Sequence, residues 1–182
     1  MLLHTQPFSV KLGGHPILHQ VQLNLECGRF LAILGANGQG KSTMLHALSG
    51  GQRTVSKAVF VQGKALDQWS ALDLAQQRAV LTQNIAFGTS MNCRDAVMLG
   101  RYPFYQKRAH PSEQDYQVVD EVLDQLELLP LADRALHTCS GGQQQLVQIA
   151  RVLAQVWEST PEQPKLLFLD EPTSNLDIRY QH

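Results

Sequence analysis

Residues Gly35 to Ser42, GANGQGKS, set a lysine and a hydroxyl directly behind three glycines, a combination suited to gripping phosphate. Gly35, Gly38 and Gly40 let successive backbone N–H groups turn toward one anion. Ala36, Asn37 and Gln39 complete the loop, and Thr43 follows it. Lys41 can reach β- and γ-phosphates, while the Ser42 hydroxyl suits Mg²⁺. A second group of reactive types, Asp170 and Glu171, closes the apolar run LLFL. Two adjacent acids there are costly unless a cation or a reacting water uses them. Asp170 fits a Mg²⁺ partner, and Glu171 fits a base that orients or deprotonates water attacking a γ-phosphate. A third group, Ser140, Gly141, Gly142 and Gln143, opens a long helical pattern, where bare N–H groups favour an anion.

These groups need elements to hold them. The apolar run Phe30 to Leu34 reads as a strand buried on both faces, followed by the glycine loop and then a helix from MLHAL. That order carries the phosphate loop on a strand-to-helix turn. VQLNLECG alternates as a half-buried strand, while KAVFVQG and RAVLTQ predict two more, with ALDLAQQ a short helix between them. After Pro111, Ser112 caps a helix with Asp115 three residues on, and Val118, Val119, Val122, Leu123, Leu126 and Leu129 share its apolar face. Pro130 should stop it. A second long helix covers QQQLVQIARVLAQVW, and the polar link ESTPEQPK leads to the strand before Asp170. Strands alternating with helices predict an α/β fold with a mostly parallel sheet, whose carboxyl edge is where ligands bind. The helical stretch 84–139 is then an insertion beside a core of 1–83 and 140–182.

Bulk properties agree with one globular domain. The 182 residues are 43% hydrophobic and 17% charged, with a net charge of -1. No basic run marks a nucleic-acid surface. Cys27, Cys93 and Cys139 lie far apart without CxxC spacing, which argues against a zinc site or a disulfide framework and fits a reducing compartment. The N-terminal residues lack a signal-peptide pattern, and no apolar run approaches membrane-spanning length. Seven histidines, His4, His15, His19 and His46 among them, show no ligand spacing.

Four motifs in order resemble the ATP-binding subunits of ABC transporters: GANGQGKST as Walker A, Ser140-Gly141-Gly142 as the heart of the signature, LLFLDEP as Walker B, and SNLD as the D-loop with Asp177. Gln83 stands where that family has its Q-loop glutamine. The resemblance implies a P-loop core with an inserted helical subdomain and two cofactors, ATP and Mg²⁺. It gives Ser42, Gln83 and Asp170 to the metal and Glu171 and Gln83 to catalysis. It implies a homodimer in which Ser140 to Gln143 of each chain act on the other chain's ATP. An integral membrane permease is the implied partner, at the cytoplasmic face of the bacterial inner membrane. Phe8 is the candidate for the aromatic that stacks on adenine.

A finer resemblance concerns cargo. RAVLTQ followed by VMLGRYPF is similar to the importers of iron chelates, haem and vitamin B12. The long link with Trp157, Glu158, Pro161 and Pro164 is similar to the haemin importer ATPases, which work with a periplasmic haem-binding protein. Ferric-siderophore or vitamin B12 import, a soluble ABC protein and a non-catalytic remnant are the alternatives. Relatives continue beyond the D-loop into strands bearing a switch histidine, and His182 is too near Glu171 to be it. The expectation is therefore a C-terminally incomplete chain that binds ATP and hydrolyses it slowly or not at all. Within the signature, Cys139 replaces the usual Leu and Leu146 the usual Arg, expected to leave a small packing defect and to remove a charge near the dimer interface.

Overall fold

A computed structural model describes residues 1–82 and 91–172. Gln83, Asp177 and His182 lie outside the described residues. Among those described, the chain alternates strands and helices as an α/β protein. Strands β1 (Leu3–Thr5), β4 (Asn24–Leu25), β5 (Val59–Val61) and β6 (Lys64–Ala65) form an antiparallel sheet in the order β4-β1-β5-β6. Strands β2 (Phe8–Leu12) and β3 (His15–Val21) form a hairpin. Strands β7 (Arg78–Leu81) and β8 (Leu166–Leu169) pair in parallel, Leu81 opposite Leu169. The parallel part of the described sheet is this one pair.

The predicted helices form. Helix α1 (Lys41–Leu48) follows the glycine loop, and α2 (Ala71–Gln77) is capped by the Ser70 side chain accepting from the Asp73 N–H. Helix α3 (Cys93–Met98) continues through a 3₁₀ turn into the short α4 (Tyr102–Tyr105). Helix α5 (Glu113–Gln125) starts with the expected Ser112–Asp115 capping box. It ends at Gln125, earlier than the apolar spacing implies, and Pro130 falls in a separate 3₁₀ turn. Helix α6 (Gly141–Val156) starts with a second capping box, Ser140 with Gln143.

Two main cores result. One lies under the sheets and includes Leu3, Val10, Leu48, Val61 and Phe168. The other joins α3, α5 and α6 through Val97, Val119, Val122, Leu123, Val147 and Ala150. Arg101 pins that second core although it is only 2% exposed. Its Nε donates to Asp115 on α5 at 3.0 Å, Nη1 to the Ala154 carbonyl of α6 at 3.0 Å, and Nη2 to Glu158 at 2.8 Å. Gly100 beside it packs on the α6 backbone so closely that an added Cβ would overlap the Arg151 carbonyl oxygen. Gly100→Ala is therefore expected to lower the unfolding free energy by roughly 1–3 kcal/mol through overpacking. The check is a urea midpoint that falls while the slope stays constant.

Among the described residues two strand expectations change: VQLNLECG is divided between the end of β3 at Val21 and β4, in different sheets, and Phe30 to Leu34 forms no strand. Phe30 to Leu34 runs unpaired into the glycine loop, with Phe30 89% and Leu34 90% exposed. A strand buried on both faces needs neighbours on both edges. The described partner of β8 is β7, and the 30–33 run lies across a cavity from β8 instead of pairing with it. Leu146 is buried in the helical core, so at this position it also serves as packing. Cys139 also fills core space, beside Cys93.

Candidate functional site

The glycine loop turns at Gly38 (φ +79°) and Gly40 (φ +84°), and Gly40 is the residue just before α1. A side chain is excluded at Gly40 twice over: its φ is left-handed, and an added Cβ would sit 2.9 Å from the Ile17 side chain on β3. The hairpin thus backs the start of α1, and Gly35 to Gln39 and Ser42 remain exposed. The start of an eight-residue helix offers unpaired N–H groups and the positive dipole end toward the loop. Lys41 folds back over the loop, its Nζ donating to the Gly35 carbonyl at 2.9 Å and the Ala36 carbonyl at 3.0 Å. Its ammonium therefore already lies at the concave side of the turn, where a phosphate would exchange for two carbonyls.

The acids come from the parallel pair. The Asp170 N–H donates to the Leu81 carbonyl at 3.1 Å, which extends the β7–β8 ladder by one step. Asp170 and Glu171 thereby leave the carboxyl end of β8 beside the end of β7. Glu171 has a left-handed φ of +48°, a conformation uncommon for a residue with a side chain. A cavity of about 370 Å³ brings the two groups together: Lys41, Asp170 and Glu171 all line it, with Leu45 of α1 and Phe168 of β8. Arg29 lines it too, so the site sets two basic groups and two acids around one concave space walled mainly by apolar side chains.

The other predicted residues divide. Ser140 caps α6, its Oγ accepting from the Gln143 N–H at 3.3 Å while Gln143 Oε1 accepts from the Ser140 N–H at 3.0 Å. Ser140 and Gly141 are exposed, and an added Cβ on Gly141 would meet nothing within 4 Å. Among the described residues, none of the Ser140–Gln143 group lines the cavity. Phe8 is a correction: it is 5% exposed and packed in the core under the sheets, so its ring has no free face to stack on a base. Its alternation with Val10 on β2 was the sequence sign of an inward position.

One contact had no sequence signal beyond a general richness in glutamine. Gln145, in the first turns of α6, donates its Nε2 to the Pro172 carbonyl at 3.0 Å. The helix opened by Ser140 is tied in this way to the chain one residue past Glu171. No described helix is long and apolar enough to cross a membrane.

Comparison with known proteins fits this geometry. The profile of the ABC transporter family matches residues 18–174. A hemin import ATP-binding protein, HmuV, of Gloeobacter violaceus is 41% identical over 181 residues, covering 100% of this chain and 65% of that protein. The HmuV of Bordetella avium is 42% identical, covering 100% of this chain and 68% of its own length. Among solved structures, a metal-chelate type ABC transporter in an inward-facing conformation superposes with a TM-score of 0.77 at 32% identity, over 98% of this chain and 62% of that one. The chain thus spans about two thirds of the length of the relatives it matches. With a phosphate loop, a strand-end acid pair and a capped Ser-Gly-Gly helix all inside the matched residues, this chain belongs to the ABC transporter family.

Proposed function

We propose that this chain is the ATP-binding part of a haemin importer, which couples ATP binding and hydrolysis to transport at the cytoplasmic face of the bacterial inner membrane. The observation that carries the reading is the cavity lined at once by Lys41 and by Asp170 and Glu171. The exposed loop N–H groups and Lys41 bind the phosphates, with Ser42 and Asp170 as metal-side ligands. The Ser42 hydroxyl beside the loop and the Asp170 carboxylate on the cavity wall are hard-oxygen donors of the kind Mg²⁺ prefers. When bound, Mg²⁺ supplies neutralisation of charge on the β- and γ-phosphates. Glu171 accepts a proton from the attacking water, and Gln83 is its proposed partner in catalysis.

The signature group works on a second copy. Ser140 and Gly141 are exposed and do not line their own cavity, and among the described residues nothing fills the space beside Gly141. That arrangement supports a head-to-tail homodimer in which each α6 start meets the partner's γ-phosphate, and the D-loop role of Asp177 belongs to the same reading. An integral membrane permease and, through it, a periplasmic haem-binding protein complete the importer. The division into a core of 1–83 and 140–182 and a helical subdomain of 84–139 belongs to this reading, with Arg101 tying α5 of the subdomain to α6 of the core.

The test is calorimetric titration of the chain with ATP and Mg²⁺. Saturable binding that ADP competes for is expected, and no binding at millimolar nucleotide would refute the reading. The relatives named for hemin import support haemin as cargo, while the metal-chelate transporter supports a ferric chelate as the second reading. Expression in a strain lacking its haemin-importer ATPase separates them. Growth on haemin as sole iron source is expected, and growth restored only on a ferric siderophore would overturn the cargo.

A further inference from the structure

We propose that Cys93 and Cys139 form an oxidation site, an intrachain disulfide pair that staples the turn before α6 to the start of α3. Their sulfurs lie 3.6 Å apart although 46 residues separate them in sequence. A disulfide needs the two atoms to close by only roughly 1.5 Å. The backbone already clamps the two segments. The Cys93 N–H donates to the Arg134 carbonyl at 3.1 Å, the Arg94 N–H to the Ala132 carbonyl at 2.9 Å, and Asn92 bridges Ala135. The approach is thus a side-chain adjustment inside a fixed frame.

Access gives the two thiols different parts. Cys93 is fully buried, while Cys139 retains 6% exposure next to the exposed Ser140. Burial, with the Cys139 hydrogen bond adding to it, pushes the Cys93 thiol up. By exposure, an oxidant of the peroxide class meets Cys139 first. The Cys139 sulfur attacks one peroxide oxygen, the O–O bond breaks, and a sulfenic acid and one water form. The Cys93 sulfur then displaces the hydroxyl, and its proton leaves with that hydroxyl as a second water. Two thiols are oxidised to one S–S bond, and one peroxide is reduced to two waters. This chemistry does not depend on the nucleotide reading, although the stapled turn carries Ser140.

The test uses the folded chain with Cys27→Ser, which removes the exposed thiol as a source of intermolecular bonds. Hydrogen peroxide is added, remaining thiols are alkylated, and the chain is digested without reduction. The expected result is a linked peptide pair joining Cys93 to Cys139, two hydrogens lighter than the free peptides and lost on treatment with a dithiol. Adding Cys93→Ser should instead leave Cys139 to proceed to the sulfinic acid. The proposal is overturned if the linked pair is absent from the oxidised folded chain, or if it forms only after urea has unfolded it. Both outcomes are read from the chain that retains both cysteines, so the test holds even if the Cys93→Ser variant fails to fold.

Discussion

Lys41→Ala is expected to weaken binding of ATP roughly 10- to 100-fold while leaving the folded state intact. The ammonium makes two hydrogen bonds, both to carbonyls of its own exposed loop, and neither holds an element in place. Its loss should therefore move stability by no more than about 0.5 kcal/mol. Hydrogen bonds between charged groups contribute about 1.5–3 kcal/mol, and tenfold in affinity is about 1.4 kcal/mol. Lys41→Arg should not rescue fully, because a planar fork cannot settle as a point charge over the Gly35–Ala36 turn. Titration of each variant with ATP and Mg²⁺, paired with a thermal melt, reads both halves. An affinity unchanged in Lys41→Ala would show that the phosphates sit elsewhere.

The largest stability effect should come from Asp115. Its carboxylate is 1% exposed and faces Arg101, which is 2% exposed, with Arg108 Nη2 3.2 Å from its other oxygen. The Ser112 hydroxyl and N–H also donate to it, at 2.7 and 2.8 Å. Asp115→Ala removes one partner and leaves a buried guanidinium short of counter-charge, which typically costs about 3–5 kcal/mol. Glu158 keeps its bond to Arg101, so the lower end of that range is expected. Urea unfolding of the variant provides the measurement.

The same carboxyl gives a pH dependence of definite sign. Burial alone would raise its pKa, but the Ser112 bonds and then Arg101 outweigh burial and hold it below the ordinary carboxylate range. A group depressed in the folded state contributes its stability above the unfolded pKa. That contribution is lost as pH falls through the lower folded value. Melts of the wild-type chain should therefore lose stability on acidification below about pH 4. Asp115→Asn should flatten that acid limb.

Much of this was legible in the sequence, for physical reasons that differ by element. The two capping boxes, Ser112 with Asp115 and Ser140 with Gln143, depend on residues three apart, so local spacing decides them. The phosphate loop likewise needs only its own glycines and the helix behind it. What sequence could not settle depends on partners far along the chain. Phe30 to Leu34 has the composition of an inner strand, yet pairing requires a neighbour on each edge. The Arg101 hub joins residues 14 and 57 positions away, and no local pattern announces it.

The unpaired run at Phe30 has a colloidal consequence. Phe30 and Leu34 stand almost wholly in water beside an apolar cavity that also borders Leu3, Leu25 and Leu48. Such a patch behaves toward other molecules as a sticky edge, and strongly excluded salts such as sulfate enlarge its effect. The chain should salt out early and bind hydrophobic dyes while still folded.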